Sequence, residues 1–342
     1  MTVTAPAPAA TRIALPIAAG ATGMVFVGGS VAVSGVLADA PLFTVQSLRY
    51  ALACVLLLIY ARFVRTKIVL PRGPEWLWLT GVTVAGLIVF NIALVRGAAH
   101  AEPAVMGVAV ACVPILLAVI GPFLEGRGPA PMVVAAAVVV TCGAALVQGL
   151  GRTDGIGLAW AFVTFVCEAG FTLMAVPLFR RHGPLGVSVH ATWLAAVLFG
   201  LLGLGWEGPS AVLRLDRGDI LAGVYLAVAV TALAFVLWYT AVTRLGADRA
   251  GLFTGVVPVA AAAGGVLLGA PIPAPVVWAG MGLVAAGLVV GLAAGTVRPA
   301  PRTPDSRESA PLSGRNARSD GDLDGSKRSE TRIRADERAD SR

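Results

Sequence analysis

Two side chains in this sequence are costly where they stand. Glu168 lies in the stretch TFVCEAGFTLM, near the middle of about twenty-four otherwise uncharged residues, and Arg49 lies in LFTVQSLRYALA. A lone ionised carboxylate in an apolar medium costs several kcal/mol, so such a group is paired, protonated or wetted. Three readings stay open for Glu168: a protonated or hydrogen-bonded packing group, a site for the cationic or amino group of a substrate, or a carrier that loads and unloads a proton. Arg49 can receive a substrate carboxylate, pair with Glu168, or snorkel to an interface. Asn91, Tyr239 and His190 are weaker candidates for substrate or proton binding. His190 lies close to the end of its run, where a structural hydrogen bond competes with proton relay.

These groups are positioned by a chain built for lipid. Of its 342 residues 57% are hydrophobic and 13% charged, against about 25% charged in soluble domains. Eleven of the 26 Lys and Arg follow residue 297, and nearly all the others fall in short breaks between apolar runs. Each run is long enough to cross a ~30 Å hydrocarbon core as a helix, and none shows the sustained alternation of a barrel strand. The runs fall near 13–37, 42–61, 76–97, 104–123, 131–150, 156–179, 185–205, 219–241, 247–269 and 275–296. The first exceeds the 7–15 residues of a signal-peptide core and is expected to stay uncleaved. The expected fold is therefore an all-α integral membrane protein of ten transmembrane helices.

Basic residues set the expected orientation. With the N-terminus inside, the inner loops hold Arg12, Arg62, Arg65, Lys67, Arg72, Arg127, Arg180, Arg181, Arg244 and Arg249. The outer side holds only Arg96, Arg152, Arg214 and Arg217. Both termini are then cytoplasmic and the protein sits in the cell membrane. His100, Glu102 and Glu125 fall in loops, where solvation is their expected state. The tail from Arg298, rich in Arg, Asp, Ser and Pro, is expected to be disordered.

The chain also repeats itself. Shifted by 144 residues, Gly97–Val147 aligns with Ala241–Gly291 without a gap, and 13 of 51 positions are identical. The identities include Gly107/Gly251, Pro114/Pro258, Gly121/Gly265 and Gly143/Gly287, and PAPMV falls on PAPVV. Five helices per half make the second half enter the membrane from the opposite side, so the repeats are inverted, the usual construction of secondary transporters. The expected organisation is a short N-terminus (1–12), one five-helix repeat (13–150), a second (156–296) and a tail (297–342). Pro114 and Pro258 lie mid-helix and are expected to free the carbonyls of Val110 and Thr254, as hinges or as plain packing kinks.

In these features the chain resembles the EamA-type branch of the drug/metabolite transporter superfamily over about 13–296. Pro41 and Arg49 match the opening of that family's second helix, and FLEG with Glu125 matches a turn closing its fourth. The second half departs from the pattern, with Ala270 where the acid would stand and Thr192 where the arginine would stand. The resemblance implies small-metabolite transport, often efflux of amino acids or toxic compounds, by a proton- or exchange-coupled route.

Other classes find little support. No GxSxG, HExxH or GxxxxGK[ST] motif occurs, so an intramembrane enzyme or an ATP-driven pump lacks its machinery. A structural or receptor role remains the alternative to transport. Cys54, Cys112, Cys142 and Cys167 share no metal-ligand spacing and read as free thiols. No cofactor, metal or nucleic acid is expected. The expected partners are a small-molecule substrate, the lipid bilayer and, as coupling ion, protons, with a homodimer left open.

Overall fold

The computed structural model describes residues 9–34, 36–37, 40–149, 151–267 and 272–294. The expected tail disorder and the departure at Ala270 lie outside these residues. The described chain is helical throughout, and an isolated bridge between Ala101 and Thr153 is its one β-type pairing.

In chain order, α1 spans Ala9–Ser34 and α2 spans Leu42–Phe63. Helix α3 runs over Glu75–Ala98, with a π-helical stretch at Val84–Val89. Helix α4 comes in two pieces, Pro103–Ala111 and Val113–Leu124, and α5 spans Pro131–Gln148. Helix α6 spans Gly155–Leu173 and α7 spans Phe179–Trp206, with non-helical backbone at Gly183 just before Pro184. Helix α8 runs over Arg217–Leu245, π-helical at Leu226–Leu233. Helix α9 joins Ala247–Gly251 to Val256–Leu267 through a 3-10 turn, and α10 spans Pro275–Ala293. Among the described residues, seven helical stretches are long and apolar enough to cross a membrane, counting the 52 residues of Gly155–Trp206 as one.

Local chemistry explains where these helices begin. Proline opens α5 and α10 at a position whose N–H would be unpaired anyway. The Asp154 side chain caps α6 by accepting from the Gly157 N–H at 2.7 Å. Helix α2 follows Pro41 and has no side-chain cap of its own. Glu207, beyond the end of α7, supplies one from a distance: its two oxygens accept the Phe43 and Thr44 N–H groups, both at 2.8 Å, and the Thr44 hydroxyl at 2.7 Å. In a medium without water, such a borrowed cap satisfies donors that would otherwise stay bare.

The two prolines act differently from expectation. At Pro114 the helix breaks at Cys112, and the Ile115 N–H bonds the Cys112 carbonyl instead of that of Ala111. The Ala111 carbonyl is then taken by the Thr141 hydroxyl at 2.9 Å. The Cys112 N–H at the break bonds the Val108 and Ala109 carbonyls at 3.1 and 3.2 Å. Thr254 keeps a backbone donor within the 3-10 turn before Pro258. At each proline the i to i+4 helical donor is missing, and the chain passes through a short non-α turn there. The two breaks fall within one residue of the 144-residue shift, since the second piece of α4 starts at Val113 and that of α9 at Val256.

Helices α5 and α10 pack closely. A methyl built on Gly143 would lie 2.7 Å from the Gly280 carbonyl oxygen, and one on Gly280 would lie 2.6 Å from that of Gly143. Gly287 meets Val140 and the Ala136 carbonyl in the same way. Contact of 143 with 280 and of 136 with 287 makes the two helices antiparallel. A larger core gathers Tyr50, Leu79, Phe199, Trp238, Tyr239 and Phe253 where α2, α3, α7, α8 and α9 meet.

Candidate functional site

Helix α2 presents Gln46 and Arg49 one turn apart, so both point to one side. The Arg49 Nε–H donates to the Thr231 hydroxyl at 2.8 Å, and its Nη1 donates to Gln46 Oε1 at 3.2 Å. The Gln46 amide in turn donates to Asn91 Oδ1 at 2.8 Å, and Asn91 donates to the Leu87 carbonyl at 2.7 Å. The chain of bonds therefore starts in the π-helical part of α8, crosses α2 and ends in the π-helical part of α3. Thr231 hydrogen-bonds the Leu226 carbonyl five residues back, a bond that π geometry makes available. Leu87 and Thr231 are 144 residues apart, and both lie before the aligned stretches 97–147 and 241–291.

Arg49 is half-buried, and its guanidinium lies 5.1 Å from the Tyr50 ring centre. No carboxylate pairs with it among the described residues. Glu168 on α6 makes neither a hydrogen bond nor an ion pair among the described residues, and its side chain keeps partial exposure although Cys167 and Ala169 beside it are buried. Of the readings open for Arg49, a direct pair with Glu168 is not made among the described residues. Tyr239 on α8 is fully buried and stands within electrostatic range of both Glu168 and Tyr50. Its hydroxyl donates to the Phe171 carbonyl at 3.4 Å and its ring stacks on Phe171 at 5.1 Å. Phe171 is thus part of a buried aromatic cluster with Phe235 and Tyr239.

His190 stands apart from this group. Trp193 donates its Nε1–H to His190 Nδ1 at 3.2 Å, which leaves His190 Nε2 as the donor to the Val69 carbonyl at 2.8 Å. Both ring nitrogens of a neutral imidazole are thereby used. The residue anchors the turn before α3.

Two ionic clusters tie loops together at the basic end of the molecule. Arg127 binds Asp248 through two bonds of 2.9 and 2.6 Å and donates to Glu125 at 2.9 and 2.7 Å. The other Glu125 oxygen accepts the Ala247 N–H that opens α9, at 2.8 Å. Asp248 is wholly buried, and its bond to Arg127, with a smaller contribution from Glu125, raises the guanidinium pKa. Glu125, expected to be solvated, is instead a bridge, because the buried Asp248 draws Arg127 across to it. The second cluster joins Glu75 to Arg181 and, at 3.2 Å, to His182.

The opposite end holds a cleft of its own. Leu42, Phe43, Ile92, Arg96, Leu202 and Trp206 line a cleft of about 350 Å³ between α2, α3 and α7. Nearby, Arg152 bonds Glu102 at 2.8 Å and lowers its pKa. His100 meets Asp154 at 3.0 Å, so these two loop residues are paired as well as exposed. The Gly157 N–H, then His100, depress the Asp154 pKa.

Sequence reasoning missed Gln46, Thr231, Asp248 and Glu207. Gln46 carried a signal, three residues before Arg49 on one helix. Thr231 and Asp248 carried none short of knowing which helices touch. The four cysteines are free, and among the described residues no group of three or more His, Cys, Asp or Glu could hold a metal ion.

Comparison with known proteins agrees with the helical architecture. Residues 155–292 match the EamA-like transporter family. The chain is 28% identical over 255 residues to the uncharacterized transporter YetK of Bacillus subtilis (strain 168), covering 70% of this chain and 76% of the relative. It is 26% identical over 254 residues to an uncharacterized transporter of Archaeoglobus fulgidus, covering 72% and 87%. A crystal structure at 19% identity superposes with a TM-score of 0.69 over 81% of this chain and 96% of the other, a likeness of fold alone. Over residues 155–292 the chain is similar to the EamA-like transporter family, and its apolar helices and transporter relatives support a multi-pass membrane transporter.

Proposed function

We propose that the protein is a secondary active transporter that exports small organic metabolites or amino acids across the cell membrane by alternating access, coupled to protons. The observation that carries this reading is the pair of unneutralised charges, Glu168 and Arg49, on two different helices of a membrane protein. Left without a counter-charge in a bilayer, each is expensive. A substrate with an anionic and a cationic group would neutralise both, and in its absence a proton would neutralise Glu168. Asn91 and Gln46 orient the arginine, and Tyr239 borders the carboxylate. The export direction rests on the family.

The reading includes ten spans in two inverted five-helix repeats, 13–150 and 156–296, flanked by a cytoplasmic N-terminus and tail. It is supported by the antiparallel α5–α10 contact, by π-helical stretches in α3 and α8, and by breaks before Pro114 and Pro258, which serve as hinges. The clusters of Arg127 and Arg181 would close the cytoplasmic end while the cleft beside Arg96 faces out. A reporter fused after residue 296 should be active only in its cytoplasmic form, and periplasmic activity there would sink this topology.

The test is flux in proteoliposomes with an imposed pH gradient, wild type beside Glu168→Gln, over a panel of amino acids and cationic drugs. Gradient-driven uptake should vanish in Glu168→Gln while substrate exchange survives. Normal transport with unchanged pH dependence would refute a coupling role for Glu168.

A further inference from the structure

Helix α2 ends in an uncommon way. The Thr66 N–H reaches back to the Ala61 carbonyl at 2.9 Å and the Arg65 N–H to Arg62 at 3.2 Å, the bonding of a helix closed by a left-handed residue. Glycine is the usual occupant of that position, because an L side chain is strained there. Here it is Arg65, at φ 55°, the one non-glycine residue with positive φ among those described. Backbone strain kept in place of an available relief points to a task for the side chain.

The turn folds Arg62, Arg65 and Lys67 around a concavity of about 420 Å³ whose apolar wall includes Leu58 and Ile68. All three cations are exposed, and none makes an ion pair among the described residues. Phe63 and Leu70, in the same segment as the site, are exposed apolar side chains. A general excess of positive charge at this end would account for three basic residues in a loop. It does not account for their convergence on one pocket, or for an arginine where glycine fits.

We propose that this pocket binds the phosphate of an anionic phospholipid. Arg62, Arg65 and Lys67 hold the headgroup, and Leu58 and Ile68 take the first part of an acyl chain. The shared chemistry is a phosphate flanked by cations, and the apolar wall favours a lipid over a free ion.

The full chain, reconstituted in phosphatidylcholine nanodiscs with or without phosphatidylglycerol, gives the test. The wild-type unfolding midpoint should rise saturably with phosphatidylglycerol and should not rise with inorganic phosphate at matched concentration. Arg65→Gly should keep or raise the midpoint in phosphatidylcholine alone while losing most of the phosphatidylglycerol-dependent rise. Arg65→Asn, which also tolerates the left-handed backbone, separates strain from charge and should lose the same response. Arg62→Gln and Lys67→Gln should each weaken the lipid response about fivefold, the equivalent of one cation at an anionic surface. An undiminished rise in the Arg65 variants, or an equal loss on Arg180→Gln, would overturn the pocket in favour of bulk surface charge. A rise with inorganic phosphate equal to that with the lipid would overturn the lipid assignment.

Discussion

Gly143 and Gly280 meet backbone to backbone, each with its Cα within a methyl's reach of the other's carbonyl oxygen. Lipid gives apolar side chains no reason to leave it for one another, so helix association relies on close approach, and small residues permit that. Overpacking such a contact forces the backbones apart at about 1–3 kcal/mol. Gly143→Ala and Gly280→Ala should therefore each lower the unfolding midpoint in detergent. Gly282→Ala on the same helix, where an added Cβ meets nothing within 4 Å, should be neutral or stabilising.

The Gln46 bridge makes a second prediction. Gln46→Leu removes the acceptor for Arg49 and the donor to Asn91 together, leaving the arginine held only through Thr231. Flux should fall by at least tenfold with little change in the unfolding midpoint, because the loss is of positioning. Thr231→Val should weaken flux in the same direction from the other end of the chain of bonds. Wild-type flux in both variants would remove this chain from the transport site.

Arg127→Ala leaves Asp248 buried without its counter-charge. Breaking a fully buried pair costs about 3–5 kcal/mol, and the partial exposure of Arg127 brings the expected loss to about 2–3 kcal/mol. Arg127→Ala combined with Asp248→Asn should recover part of that loss, since the remaining amide carries no charge. A thermal-unfolding comparison of the single and double variants checks this, and equal midpoints would contradict it.

The α6 cap should respond to acid. Asp154 has a folded-state pKa below its ordinary value, so its contribution is present above the unfolded pKa of about 4 and is lost as pH falls through the folded one. Hydrogen exchange at the start of α6, taken relative to the intrinsic rate at each pH, should accelerate below about pH 4 and be constant from there to neutrality. In Asp154→Ala it should be fast at every pH in that range, and an unchanged rate would remove the cap from the account.

Much of the fold was legible because lipid imposes a length and a composition on each helix, and because glycine and proline punctuate the breaks. The 144-residue shift also named Gly143 and Gly287, which prove to be contact residues of α5 and α10. The site was legible only in part. Arg49, Asn91 and Glu168 stood out as polar groups in apolar runs, whereas the bond from Arg49 to Thr231 depends on α2 lying against α8, which no local pattern encodes. Glu125 was misjudged for the same reason, since its partners Arg127 and Ala247 come together only when two distant loops meet. The π-helical stretches left no mark in the residue types around Val84 or Leu226.

The contact between α5 and α10 carries one more consequence. Ala136 and Gly143 are seven residues apart, as are Gly280 and Gly287, so each helix offers two small residues about two turns apart on one side. Inserting a single residue between either pair would rotate one of its two contacts by about 100°. The Gly143–Gly280 and Ala136–Gly287 approaches could then no longer be made together, whichever helix received the insertion. What holds these helices is a matter of phase, and a frame error of one residue would cost more than any single side chain they carry.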